Sequence, residues 1–235
     1  MKNKLLKKSA MAAAVGIAGM FCVGSASAYT WSLGGTNLGL DGIGTSFIGA
    51  TTVNFNSSLT LPSAANFNYA GGAVVNGTTG NHAPPSGDTS NYYSVGPFDG
   101  TANGPTFSGN FNYVHAAAAP LLFYFGFNYS SPDTYNSVDI MLGNTVLQTF
   151  TGLQLATPLG FPADGDQSTS RYMNVVADNA GEYFDRVRFN STLNAFETDN
   201  HAFAAIPEPE TYAMLLAGLG LMGFVAHRRK QALAA

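Results

Sequence analysis

The sequence predicts an all-β fold: one β-sandwich or jelly-roll-like ectodomain, Tyr29 to Ala205, between two terminal segments of different character. Three observations predict it. Short runs alternate apolar and polar residues, the pattern of half-buried strands. Gly, Pro and Asn separate those runs at turn-like intervals. No helical period holds over any useful length between Tyr29 and about Gly109.

Residues 29–109 are rich in Gly, Asn, Ser and Thr, with aromatics spaced as in Val53-Asn54-Phe55-Asn56 and Asn66-Phe67-Asn68-Tyr69. Ala83-Pro84-Pro85-Ser86-Gly87-Asp88 reads as a loop. The second half carries stronger strand signals. Leu121–Phe127 is apolar enough for a central strand, with Phe123, Phe125 and Phe127 expected on one face. Val138, Ile140 and Leu142 alternate with Asp139 and Met141; Gly143-Asn144 turns the chain, and Val146–Phe150 returns. Tyr172–Ala177 and Phe184–Phe189 complete the set, with loops at Ser131-Pro132-Asp133 and Asp164-Gly165-Asp166. Short strands joined by Gly, Pro and Asn turns point to a sandwich or jelly roll. A domain of this length builds a core without covalent staples. The single cysteine, Cys22, lies outside it, so there is no disulfide framework.

Charged residues make up only 10% of the chain, so neutral polar groups must supply solubility. In the ectodomain three arginines (Arg171, Arg186, Arg188) stand against twelve acids, a net charge of −9. That balance argues against a nucleic-acid partner, which would demand phosphate neutralisation. Divalent cations and neutral glycans are compatible with it.

The two ends read as addresses. Four lysines, an apolar run from Ala10 to Val23 and Gly24-Ser25-Ala26-Ser27-Ala28 form a secretory signal over residues 1–28, with Ala26 and Ala28 setting cleavage by signal peptidase after passage through the secretory translocon. Residues 206–235 contain Pro207-Glu208-Pro209, an apolar stretch of fifteen residues (Tyr212–Ala226), and a basic tail of Arg228, Arg229 and Lys230. As a helix that stretch is about 22 Å long, short of the ~30 Å hydrocarbon core. The basic cluster should stay cytoplasmic as a membrane stop, leaving the Pro-Glu-Pro at the outer face.

This arrangement resembles the PEP-CTERM sorting signals of Gram-negative bacteria. Ser131-Pro132-Asp133-Thr134-Tyr135-Asn136, Phe150-Thr151-Gly152, Phe184-Asp185-Arg186-Val187 and Asn194–His201 are similar to the ectodomains of exosortase-dependent surface proteins, a resemblance covering about Leu121–His201. It implies processing by an exosortase near the motif, transient anchoring in the inner membrane, and delivery to the cell surface or an exopolysaccharide (biofilm) matrix. It supplies no catalytic residues.

Within the domain, Glu197, Asp199 and Asn200, with Asp41 across from them, offer oxygen ligands of the type a structural Ca²⁺ takes. Alternation places Glu197 and Asp199 on one face and Phe196 and Thr198 on the other. The alternative is solvated or turn-capping acids. Asp164-Gly165-Asp166 opens like a calcium loop but lacks the later ligands. His201 reads as a surface histidine. No nucleophile motif is present, and Glu182 and Glu197 are the only ectodomain glutamates for glycosidase chemistry. Trp31, Tyr92, Tyr93, Tyr113 and Tyr129 could stack on sugar rings if exposed. The sequence therefore points to a non-enzymatic surface or matrix protein, with a carbohydrate-binding module or adhesin as the alternative and a glycan hydrolase third.

Overall fold

The computed structural model describes residues 29–96, 107–115, 121–130, 132–157, 163, 170–206 and 214–224. The segment expected to be a secretory signal, with Ala26 and Ala28, the Asp164-Gly165-Asp166 stretch expected to be a loop, Pro207-Glu208-Pro209 and the basic Arg228, Arg229 and Lys230 lie outside the described residues.

Two antiparallel sheets face each other. One holds β1 (Thr30–Leu33), β13 (Ser170–Val176), β10 (Leu122–Ser130), β15 (Phe196–Ala205), β8 (Asn91–Val95) and β7 (Ala73–Asn76) in that order, with β4 (Thr51–Val53) also paired to β15. The other runs β12 (Thr145–Thr151), β11 (Asn136–Leu142), β14 (Arg186–Ser191), β9 (Phe107–Tyr113), β6 (Phe67–Ala70) and β5 (Ser63–Ala64). A small hairpin, β2 (Thr36–Asn37) and β3 (Ile43–Gly44), pairs with neither sheet and packs over β10, β13 and β15. The expected all-β sandwich is the fold found.

The inward faces build an aromatic core from Phe111, Phe125, Phe127, Phe189, Phe196 and Phe203, with Val138, Ile140 and Val187 between them. Burying each such ring contributes about 1.5–3 kcal/mol, and edge-to-face pairs such as Phe127–Phe189, 5.3 Å apart at 88°, add to it. The predicted hairpin at Gly143-Asn144 is present, joining β11 to β12.

β10 is buried on both faces, which is why its sequence reads as nearly continuous apolar residues. Its outward Tyr124 packs with Tyr172, Ala202 and Ala204 under the 36–50 segment, where Phe47 stacks on the Tyr124 ring at 4.1 Å. One expectation is corrected. Phe123 does not share a buried position with Phe125 and Phe127: a register shift between Leu122 and Tyr124 puts Leu122 into the core and leaves Phe123 half-buried against Phe47.

A one-turn helix, α1 (Gly152–Ala156), follows β12 and is fixed by a capping box. The Gln154 N–H donates to Thr151 Oγ1, and the Thr151 N–H donates to Gln154 Oε1 at 2.8 Å. At the C-terminal end residues 214–224 are helical, about 16 Å of helix. No helix among the described residues is long and apolar enough to cross a membrane, so the transmembrane span expected over Tyr212–Ala226 is seen only as this shorter helix. Its Met214, Leu216, Leu219, Leu221 and Met222 are exposed.

Candidate functional site

The sequence-predicted acids converge on the outer face of β15, under the loop that joins β7 to β8. Phe196 turns into the core and Thr198 turns inward, where its Oγ1 meets His201 Nε2 at 2.8 Å. Glu197 and Asp199 turn outward, yet both are buried. The loop roofs them: the Ala83 N–H donates to Glu197 Oε1 at 3.2 Å, and the Ser86 N–H donates to Ser130 Oγ at 3.0 Å. Burial pushes the Glu197 carboxyl up to about 7.

Asn200 sits in the left-handed region at φ 49° and makes a bulge: Gly126 pairs with Ala202 and Asn128 with Asp199, so one residue of β10 faces two of β15. The extra residue resets the alternation. His201 is thereby carried into the core instead of onto the surface, which corrects the sequence reading. It is fully buried and stacked on Phe189 at 4.9 Å, with Nδ1 hydrogen-bonded to Tyr69 Oη at 2.8 Å. Burial lowers its pKa to about 3, so the imidazole is neutral. Asn200 also ties the last strand to the N-terminal segment, its Nδ2 donating to the backbone oxygens of Asp41 and Ile43.

Of the four residues expected to hold a cation, Asp41, Asp199 and Asn200 come together, whereas Glu197 is engaged with the Ala83 amide. The residue that faces Asp199 is Asp88, which the sequence reading placed only in a loop. The Ser90 hydroxyl donates to Asp88 Oδ1 at 2.6 Å and lies 3.2 Å from Asp199 Oδ2. The Asn200 N–H donates to Asp199 Oδ1 at 2.6 Å. Burial first, then Asp88 and Asp41, raises the Asp199 carboxyl to about 10. Asp88 Oδ2, Asn128 Nδ2 and Asn200 Oδ1 are buried without a hydrogen-bond partner. Among the described residues no group of three or more His, Cys, Asp or Glu side chains has metal-holding geometry.

The other candidates separate. Glu182 is buried at a 3-10 turn (Ala180–Glu182), where its carboxylate accepts from the Asp178 N–H at 2.9 Å and from Asn179 Nδ2 at 2.7 Å. Tyr92, Tyr93 and Tyr129 are core residues with hydroxyls bonded to Gly77, Gly71 and Leu155 carbonyls, so they form no sugar platform. Trp31 and Tyr113 are half-buried.

A family profile for the PEP-CTERM protein-sorting motif matches residues 205–230. The chain carries a PEP-CTERM sorting motif. The PEP-CTERM segment begins where β15 ends, at Ala205, and marks the protein for exosortase-dependent export to the surface. No curated protein matches the chain. Among solved structures, the K2 cleaved adhesin domain of Lys-gingipain aligns with 66% of this chain and 99% of its own at 17% identity and a TM-score of 0.41. The enzymatically active domain of bacteriophage CBA120 tailspike protein 4 aligns with 60% of this chain and 20% of its own at 17% identity and a TM-score of 0.31.

Proposed function

We propose that this is a non-enzymatic protein of the cell surface or extracellular matrix in a Gram-negative bacterium, processed by an exosortase at Pro207-Glu208-Pro209. It crosses the inner membrane by the general secretory route and is held there transiently by its C-terminal segment. Processing then delivers the sandwich to the surface or into exopolysaccharide, as in a biofilm. The observation that carries this reading is the sorting motif at 205–230, which follows directly on the last strand of the domain. The glutamates add support: Glu182 and Glu197 both accept hydrogen bonds from backbone N–H groups, the arrangement of structural carboxylates and not of a facing acid–base pair.

The test is the intact mass of the protein from its native cells, with both termini mapped by peptide mass spectrometry. The expected mature chain begins at Tyr29 and lacks the residues beyond the Pro-Glu-Pro region. In cells lacking the exosortase it should retain the C-terminal segment. A chain that still ends at Ala235 when the exosortase is present would make the segment a plain anchor.

A further inference from the structure

The acidic cluster on β15 contains a polar constellation that its own hydrogen bonds leave incomplete. Asp88 and Asn128 both point at Gly42. A Cβ placed on Gly42 would come 2.5 Å from Asn128 Nδ2 and 3.1 Å from Asp88 Oδ2, so the absent side chain keeps this spot open. Gly42 itself has φ +70°, a conformation that favours glycine. Asp199 is the register partner of Asn128, and Asn200 hangs from the carbonyl of Asp41, the residue before Gly42. Asp88, Asn128, Asp199 and Asn200 are all at least nine-tenths buried. Three of their polar atoms are orphaned: Asp88 Oδ2 and Asn128 Nδ2 at Gly42, and Oδ1 of Asn200, whose Nδ2 is bonded to the carbonyls on either side of Gly42. Leaving such atoms unpaired in the interior costs the full desolvation of each.

Two ionised carboxylates side by side offer each other no donor. The cluster therefore needs either a proton on one acid or a cation between them. Asn128 discriminates. In its present orientation Oδ1 accepts from the Ser170 hydroxyl at 2.6 Å while Nδ2 is left without an acceptor. Rotating the amide by 180° turns Oδ1 toward Asp88 and lets the Ser170 oxygen accept from Nδ2, because a hydroxyl serves either role. The three orphans then become oxygen ligands of the hard type, one carboxylate oxygen and two amide carbonyls, with the Asp199 carboxylate beside them and Asp41 adding negative charge nearby.

We propose that this cluster is a structural Ca²⁺ site, with Asp88 and Asp199 as the carboxylate ligands and the side-chain oxygens of Asn128 and Asn200 completing the protein's share. Calcium fits better than magnesium because the donors come from three separate segments, the β7–β8 loop, β10 and β15, which set no regular octahedron, whereas magnesium demands a near-ideal octahedron and keeps its waters. The ion joins the β7–β8 loop, β10 and β15 beneath Gly42, whose segment Asn200 already ties in through the Asp41 and Ile43 carbonyls.

The test is thermal unfolding of the full chain in mild detergent at pH 8, with EDTA, with CaCl₂ and with MgCl₂, alongside calorimetric titration of CaCl₂. Ca²⁺ at about a hundredfold excess over its Kd should raise the Tm by roughly 5–10 °C, at a stoichiometry near one. Mg²⁺ should give a much smaller rise. Asp88→Asn and Asp199→Asn should abolish the response, whereas Glu197→Gln should keep it. No heat and no Tm change for the wild-type chain in millimolar Ca²⁺ overturns the proposal, whatever the variants do. So does a Ca²⁺ response that survives in both Asp variants.

Discussion

Tyr69 of one sheet and His201 of the other share a hydrogen bond of 2.8 Å across the middle of the core. Thr198 holds the second ring nitrogen, so the imidazole is satisfied at both nitrogens as a neutral group among Phe55, Phe125, Phe127 and Phe189. A core built mainly of aromatic and aliphatic side chains thus carries a polar connection between its layers, and that connection is sensitive to acid.

His201→Asn removes ring packing and both bonds, and should destabilise the domain by about 2–4 kcal/mol at pH 7. The unfolded chain protonates this imidazole near pH 6.5, while the folded one holds it neutral down to about 3. Its contribution is complete above pH 6.5 and is lost as pH falls through that window. The gap between wild type and variant should therefore narrow by about 2–3 kcal/mol from pH 7 to pH 4.5. Urea denaturation at the two pH values measures it, and a gap independent of pH would contradict the assignment.

Glu197 has the opposite dependence. Its folded pKa of about 7 lies above the usual carboxylate value, chiefly through burial. Stability from this group is complete below about pH 4.5 and is lost as pH rises through 7. Glu197→Gln keeps an acceptor for the Ala83 N–H and cannot ionise. The variant should gain on the wild type as pH rises from 4.5 to 8, by up to about 3 kcal/mol. Parallel denaturation curves with no crossing trend would show that Glu197 is not constrained as described.

Tyr93 and Gly109 make a third case. A Cβ on Gly109 would overlap the Tyr93 hydroxyl and sit 2.8 Å from its Cζ. Gly109→Ala should cost about 1–3 kcal/mol by overpacking. Tyr93→Phe removes the hydroxyl, with loss of its bond to the Gly71 carbonyl. The double variant should be clearly more stable than the sum of the two single changes allows. Strict additivity would place the clash elsewhere.

These residues also mark how far the sequence could be read. The β11–β12 hairpin was legible because alternation and a Gly-Asn turn are local signals, and β10 was legible because burial on both faces writes a continuous apolar run. The helix α1 was not, since five residues carry no period; only the Thr151–Gln154 cap betrays it. His201 was misread because one residue at positive φ, Asn200, inverts every face that follows, and alternation alone cannot register an insertion. Asn is a residue that tolerates that conformation, so the signal was present but weak. Asp88 was missed as the neighbour of Asp199 because their meeting depends on how a loop folds over a sheet, with no local pattern to announce it.

β15 comes last among the domain's strands in the chain but lies inside its sheet, with β10 along one edge and β4 and β8 along the other. A polypeptide threaded across a membrane from its N-terminus delivers its keystone at the end. Until Phe196–Ala205 has emerged, β10 and β8 have no common neighbour, and Tyr69 has no imidazole to meet. The first sheet therefore cannot be completed until the stretch just ahead of the sorting segment is available. Completion of the domain thereby depends on the residues that immediately precede the sorting motif.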